Sequence, residues 1–121
     1  MRPARTLATL AAALALAGCG ATPPQAPHSE AAKLDASTSD LATVCGLTYR
    51  VTAFPGDHRK DVANLESQAM ASGRSLASVY RRNPDWIYQG ETVRQIVGDA
   101  LSMLSACGLS QAERTLRRAT S

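Results

Sequence analysis

A chain of 121 residues with a formal net charge of +3 has room for one domain with a modest core, and no more. Two of its 13 basic side chains, Arg2 and Arg5, stand ahead of the first apolar run; the remaining 11 face 10 acidic ones, a near-neutral balance. With one Trp, one Phe and three Tyr it carries no interleaved aromatic and basic stripe, which argues against nucleic-acid binding.

After Arg2 and Arg5 the chain is uncharged and apolar from Leu7 to Ala17. About 11 such residues are too few to cross a bilayer, which needs about 20. A basic start, an apolar run and small residues in that order mark a secretion signal. The run closes on Leu16-Ala17-Gly18-Cys19, where two small side chains leave the backbone before Cys19 open to a peptidase. This segment resembles the lipobox of bacterial lipoproteins. The resemblance implies a thioether-linked diacylglyceryl group on Cys19, cleavage after Gly18, and loss of residues 1–18. An ordinary cleaved signal or an uncut anchor helix are the alternatives, and neither needs a cysteine here. Two or three acyl chains, at roughly 0.8 kcal/mol per buried methylene, hold a protein firmly. The implied partner of Cys19 is the lipid bilayer, with the domain exported and anchored on the extracytoplasmic side of the cell membrane.

Residues 19–36 read as the lipidated end followed by a Pro-rich tether. Pro23, Pro24 and Pro27 lie among Ala, Thr, Gln and Ser, and no large apolar residue follows Cys19 before Leu34. Such a stretch buries too little surface to offset its ordering entropy. About 17 extended residues reach roughly 50 Å. The Ala-rich piece from Glu30 to Ala36 either belongs to this tether or prolongs the first helix.

Residues 37–121 are expected to form an all-α, antiparallel bundle of about four helices with a helical tail. Leu41, Val44, Cys45, Thr48 and Val51 follow helical spacing, with Ser37, Ser39 or Asp40 as a cap. Phe54-Pro55-Gly56 ends that helix. Asp57 suits the start of a second, whose Val62, Leu65 and Ala69 share a face and which Gly73 ends. A short third helix from Ser75 buries Leu76, Val79 and Tyr80 and breaks at Asn83-Pro84. After Gly90 comes the strongest pattern: Val93, Ile96, Val97, Ala100, Leu101, Leu104 and Cys107 form one apolar face. Gly108 stands at its C-terminal cap. Ser110 to Glu113 has the form of a capping box opening a last helix to about Arg118.

Cys45 and Cys107 each fall on the apolar face of a helix. In an exported protein an even pair favours a disulfide, and closing a loop of about 60 residues is worth roughly 4 kcal/mol on the chain-entropy estimate. The alternative is two buried thiols packing as small hydrophobes.

No catalytic constellation, phosphate loop or zinc-protease signature is present. His28 lies in the tether. His58 has Asp57 beside it and Asp61 three residues on, which fits a solvated helix start better than a metal site lacking further ligands. The expectation is a non-enzyme without cofactor or metal. The segment from Tyr80 to Gly90 concentrates Tyr80, Arg81, Arg82, Trp86 and Tyr88, the residue types that dominate protein interfaces. It is the expected partner surface, unless Tyr80, Trp86 and Ile87 merely close the end of the bundle. Arg114, Arg117 and Arg118 share one helical side and suit anionic lipid headgroups or the dipole of a helix end.

The domain is similar to small exported helical proteins of high-GC bacteria that pair cysteines across two helices, a resemblance that carries over no site residues. The expected function is that of a membrane-anchored lipoprotein binding an envelope protein; the alternative is a small-ligand or metal-binding lipoprotein.

Overall fold

The computed structural model describes residues 24–121; Leu16, Ala17, Gly18 and Cys19 lie outside them. Four helices follow in chain order: α1 His28–Thr52, α2 Arg59–Arg82, α3 Val93–Ala106 and α4 Ser110–Ala119. Between α2 and α3 sits a minimal hairpin of β1 Ile87–Tyr88 and β2 Glu91–Thr92. The fold is the expected small all-α bundle, with Cys45 and Cys107 joined in a disulfide at a Cα–Cα distance of 5.6 Å.

The first helix buries Glu30, Leu34, Ser37, Leu41, Val44, Cys45 and Thr48, a stripe that advances by three or four residues and widens at the adjacent Val44 and Cys45. Its two buried hydroxyls are satisfied within the helix: Ser37 donates to the Lys33 carbonyl at 2.7 Å and Thr48 to that of Val44 at 2.8 Å. The helix starts at His28, so the tether boundary at residue 36 is corrected. Leu34 is fully buried, and its burial with that of Glu30 draws the Ala-rich piece into the domain. Before it, Gln25 pairs with Ile87 in a parallel bridge. The Ala26 amide donates to the Ile87 carbonyl, and the Ile87 amide to that of Pro24, each at 2.9 Å. Pro24, the first described residue, is thus already held by the fold.

Phe54-Pro55-Gly56 ends α1 as expected, with Gly56 at φ +118°. The second and third expected helices are one helix. α2 runs on through Gly73, because Leu76, Ala77 and Val79 continue the buried face begun by Leu65 and Ala69. A mid-helix glycine costs about 1 kcal/mol, whereas burying Leu76 and Val79 returns about 1.5–3 kcal/mol each. Asn83, in extended conformation before Pro84, ends α2.

α3 is closed by the expected glycine. Gly108 has φ +80°, its amide donates to the Ser105 carbonyl at 3.2 Å, and the Leu109 amide donates to that of Leu104 at 3.0 Å. These two bonds form a Schellman motif whose accompanying apolar residues, Leu104 and Leu109, are both fully buried. α4 then turns back and lies along α2 in the same sense: Glu66, Met70 and Gly73 of α2 meet Ala112, Thr115 and Leu116 in order. The core of Leu34, Leu41, Leu76, Leu104, Leu109 and Leu116 is shared by all four helices.

The capping box expected at Ser110–Glu113 is not formed. Leu109 precedes α4 and no side chain of its own segment caps it. Glu66 performs that role from α2, its Oε2 accepting the Ala112 amide at 2.7 Å, where a carboxylate meets the positive end of the helix dipole. A capping box does open α3. The Gln95 amide donates to Thr92 Oγ1 at 3.1 Å and the Thr92 amide to Gln95 Oε1 at 2.8 Å.

Candidate functional site

The residues expected to form one partner surface are divided by the fold. Tyr80 and Trp86 are half-buried and pack against the core. Arg94, not Arg81 or Arg82, engages Tyr80: its guanidinium lies 5.9 Å from the ring centroid and is held by Asp85 at 3.1 Å. Arg81 turns to the Ala119 carbonyl at 3.5 Å. Arg82 Nε lies 3.7 Å from the buried Glu30 carboxylate. Tyr88 alone opens onto a cavity.

That cavity is a groove of about 310 Å³ between α1, the hairpin and α3. Thr38 and Ala42 form one wall. Ile96, Ala100 and Met103, spaced i, i+4, i+7 along α3, form an apolar floor. Tyr88, Gln89, Glu91 and Asp99 supply the polar rim. The hairpin sets the rim by its register, in which Tyr88 pairs with Glu91. Its two-residue turn, Gln89-Gly90, has φ of +50° and +82°, both positive as a type I′ turn requires. Glycine adopts this freely; Gln89 does so at a conformational cost, and lines the groove.

Charge at the rim is negative and tightly arranged. The Tyr88 hydroxyl donates to Asp35 Oδ1 at 3.2 Å; burial first, and then the bond to this carboxylate, raises the Tyr88 pKa. The Glu91 carboxyl is raised above the ordinary glutamate range, chiefly by a hydrogen bond with the Asp99 carboxyl, then by burial and by repulsion between the two charges. Such a pair shares a proton as the pH falls. The groove thus combines an apolar floor with two carboxylates, Glu91 and Asp99, at its rim, and Asp35 holds the rim's Tyr88 from outside it.

The hairpin is not expected from the apolar pattern, because strands of two residues leave no alternation to read. Its signal was local: Gln89-Gly90 lies between Trp86-Ile87-Tyr88 and Glu91-Thr92-Val93, a turn dipeptide flanked by aromatic and β-branched residues.

At the other end of the bundle, Asp57 is bound by Arg59 at 2.8 Å, and that bond lowers its pKa. His58 Nε2 faces the Phe54 carbonyl, so Asp57 and His58 do not form a paired site. His28 is the exposed first residue of α1. Among the described residues no group of three or more His, Cys, Asp and Glu side chains is gathered to hold a metal ion. No described helix is long and apolar enough to cross a membrane. No protein-family model, no curated protein and no solved structure matches this chain.

Proposed function

We propose that this protein is a membrane-anchored lipoprotein of the bacterial cell envelope, acting as a non-catalytic module that binds a partner protein in the groove beside Tyr88. The lipid anchor is supported by the lipobox Leu16-Ala17-Gly18-Cys19, with only the four residues Gly20–Pro23 between Cys19 and Pro24. Binding is carried by one observation: an apolar floor of Ile96, Ala100 and Met103 beneath a rim of carboxylates. A protein segment presenting a lysine or arginine between apolar residues fits both halves of that surface.

The anchor is tested by membrane fractionation. Cys19→Ser is expected to release the protein without lowering its melting temperature, and unchanged membrane retention refutes lipidation. The groove is tested by a photo-cross-linking residue at Gln89 in native envelopes. One discrete adduct is expected, lost when Glu91→Lys is added; an adduct indifferent to Glu91→Lys refutes the groove as the docking surface.

A second reading, a small ligand with a positively charged group, is favoured by the size of the groove. About 310 Å³ lies at the lower end of the range for small-molecule sites. Such a ligand would leave the Gln89 probe without a protein adduct and would raise the melting temperature of the isolated protein.

A further inference from the structure

Helices α2 and α4 both finish at the end of the bundle where the chain enters the fold. Arg81 touches the last carbonyl of α4, Arg82 reaches Glu30 in the first turn of α1, and Pro24 is hydrogen-bonded to Ile87. Six exposed basic side chains gather on this part of the molecule: Lys33, Arg81, Arg82, Arg114, Arg117 and Arg118. Five acids stand among or beside them: Glu30 with Lys33 and Arg82, Glu113 with Arg117, Asp85 with Arg94, and Asp35 and Glu91 beside Tyr88 of the hairpin. With Arg94 counted, this end carries a net charge of about +2. Each helix C-terminus carries about half a negative charge, so the two helix ends balance only about one of these. Complementing the helix dipoles does not account for the patch.

We propose that this end of the domain lies against the anionic phospholipid headgroups of the leaflet that holds the Cys19 acyl chains. The proposal rests on the lipoprotein reading above. Only Gly20–Pro23 separate Cys19 from Pro24, and five peptide steps span at most about 17 Å. α1, with 25 residues, is about 37 Å long. With Cys19 held at the surface, Pro24 cannot rise far enough for the opposite end, at Phe54–Gly56, to face the bilayer. The short separation therefore excludes the inverted orientation, and among those left the arginines favour the one that sets their own end on the bilayer. Guanidinium groups then meet phosphate oxygens, which accept their paired N–H bonds in a geometry that suits Arg better than Lys.

Trp86, the one tryptophan, sits at this end and reports the contact. The full lipidated protein is reconstituted in vesicles carrying a dansyl-labelled headgroup, and energy transfer from Trp86 is measured. Phosphatidylcholine alone is compared with its mixture with phosphatidylglycerol. Transfer is expected to be stronger in the anionic vesicles and to fall to the neutral level at high salt. Arg81→Gln with Arg118→Gln should lower the ratio of docked to undocked domain roughly 25-fold, about fivefold per arginine near a charged surface. Arg59→Gln with Lys60→Gln, at the opposite end, should leave it unchanged. Equal transfer in neutral and anionic vesicles, or equal losses from the two variant pairs, overturns the proposal and leaves lipidation standing. A protein whose mass shows no acyl group on Cys19, and which does not float with the vesicles, overturns both.

Discussion

Glu91 is a carboxylate placed where keeping its charge is costly. The hairpin register sets it opposite Tyr88, and Asp99 stands within hydrogen-bonding reach from the second turn of α3. A carboxyl whose folded pKa is raised binds its proton more tightly folded than unfolded. Its stabilising contribution is complete at pH below the unfolded value and is lost as the pH rises through the raised folded one. Asp99→Asn removes the competing charge and leaves an amide that donates to Glu91. Glu91 is then expected to titrate lower than in the unchanged protein, and the fall of melting temperature with rising pH in that window should flatten. Carboxyl-carbon NMR across the acid range checks this directly; an unmoved Glu91 titration with Asp99→Asn would mean that burial alone sets it. The same proton governs the groove. A cationic segment finds its full partner only above the raised Glu91 pKa, so affinity is expected to weaken towards acid pH.

Among the elements, α2 shows how packing overrides local preference. Gly73 reads as a helix end, yet it is a buried mid-helix residue, and a Cβ there would meet Leu116 Cβ at 3.9 Å, an ordinary contact. Gly73→Ala is therefore expected to stabilise the protein by about 0.5–1 kcal/mol through helix propensity and unfolded-state entropy. A lower denaturation midpoint would show instead that α4 has to give way. The helices themselves were legible from apolar spacing, and so were the breaks at Phe54-Pro55-Gly56, Asn83-Pro84 and Gly108, because each depends on a few neighbouring residues. The cysteine pair was legible because both members fall on apolar faces. Features made by distant residues were not. Glu66 caps α4 across 46 residues of sequence, while Ser110 and Glu113, which have the local form of a capping box, do not serve as one. The groove belongs to the same class: Thr38, Tyr88 and Asp99 are spread over three elements, and their closeness exists only after folding. Tyr80 and Trp86 were ambiguous for a further reason, since the residue types that make interfaces also close the ends of bundles.

At the scale of the whole molecule, charge and attachment point in the same direction. The chain is close to neutral once Arg2 and Arg5 are set aside, but its basic side chains are concentrated where Pro24 enters the fold, while Glu91 and Asp99 line the groove. On the proposed orientation the domain stands on its arginines, with the groove opening between α1 and α3 on its flank. Leash length and arginine charge make separable contributions to that orientation, since the first sets effective concentration and the second sets affinity. Inserting a Gly-Ser segment of about 10 residues between Gly20 and Pro23 lets the domain sample a larger volume. Energy transfer from Trp86 is then expected to drop strongly in neutral vesicles, where only the leash holds the domain down. In anionic vesicles it should drop less, because the arginines still supply attraction. If the insertion lowers transfer by the same factor in both, the leash alone orients the domain and the arginines serve only the helix ends. If it changes neither, the domain is held to the bilayer by contacts that depend on neither.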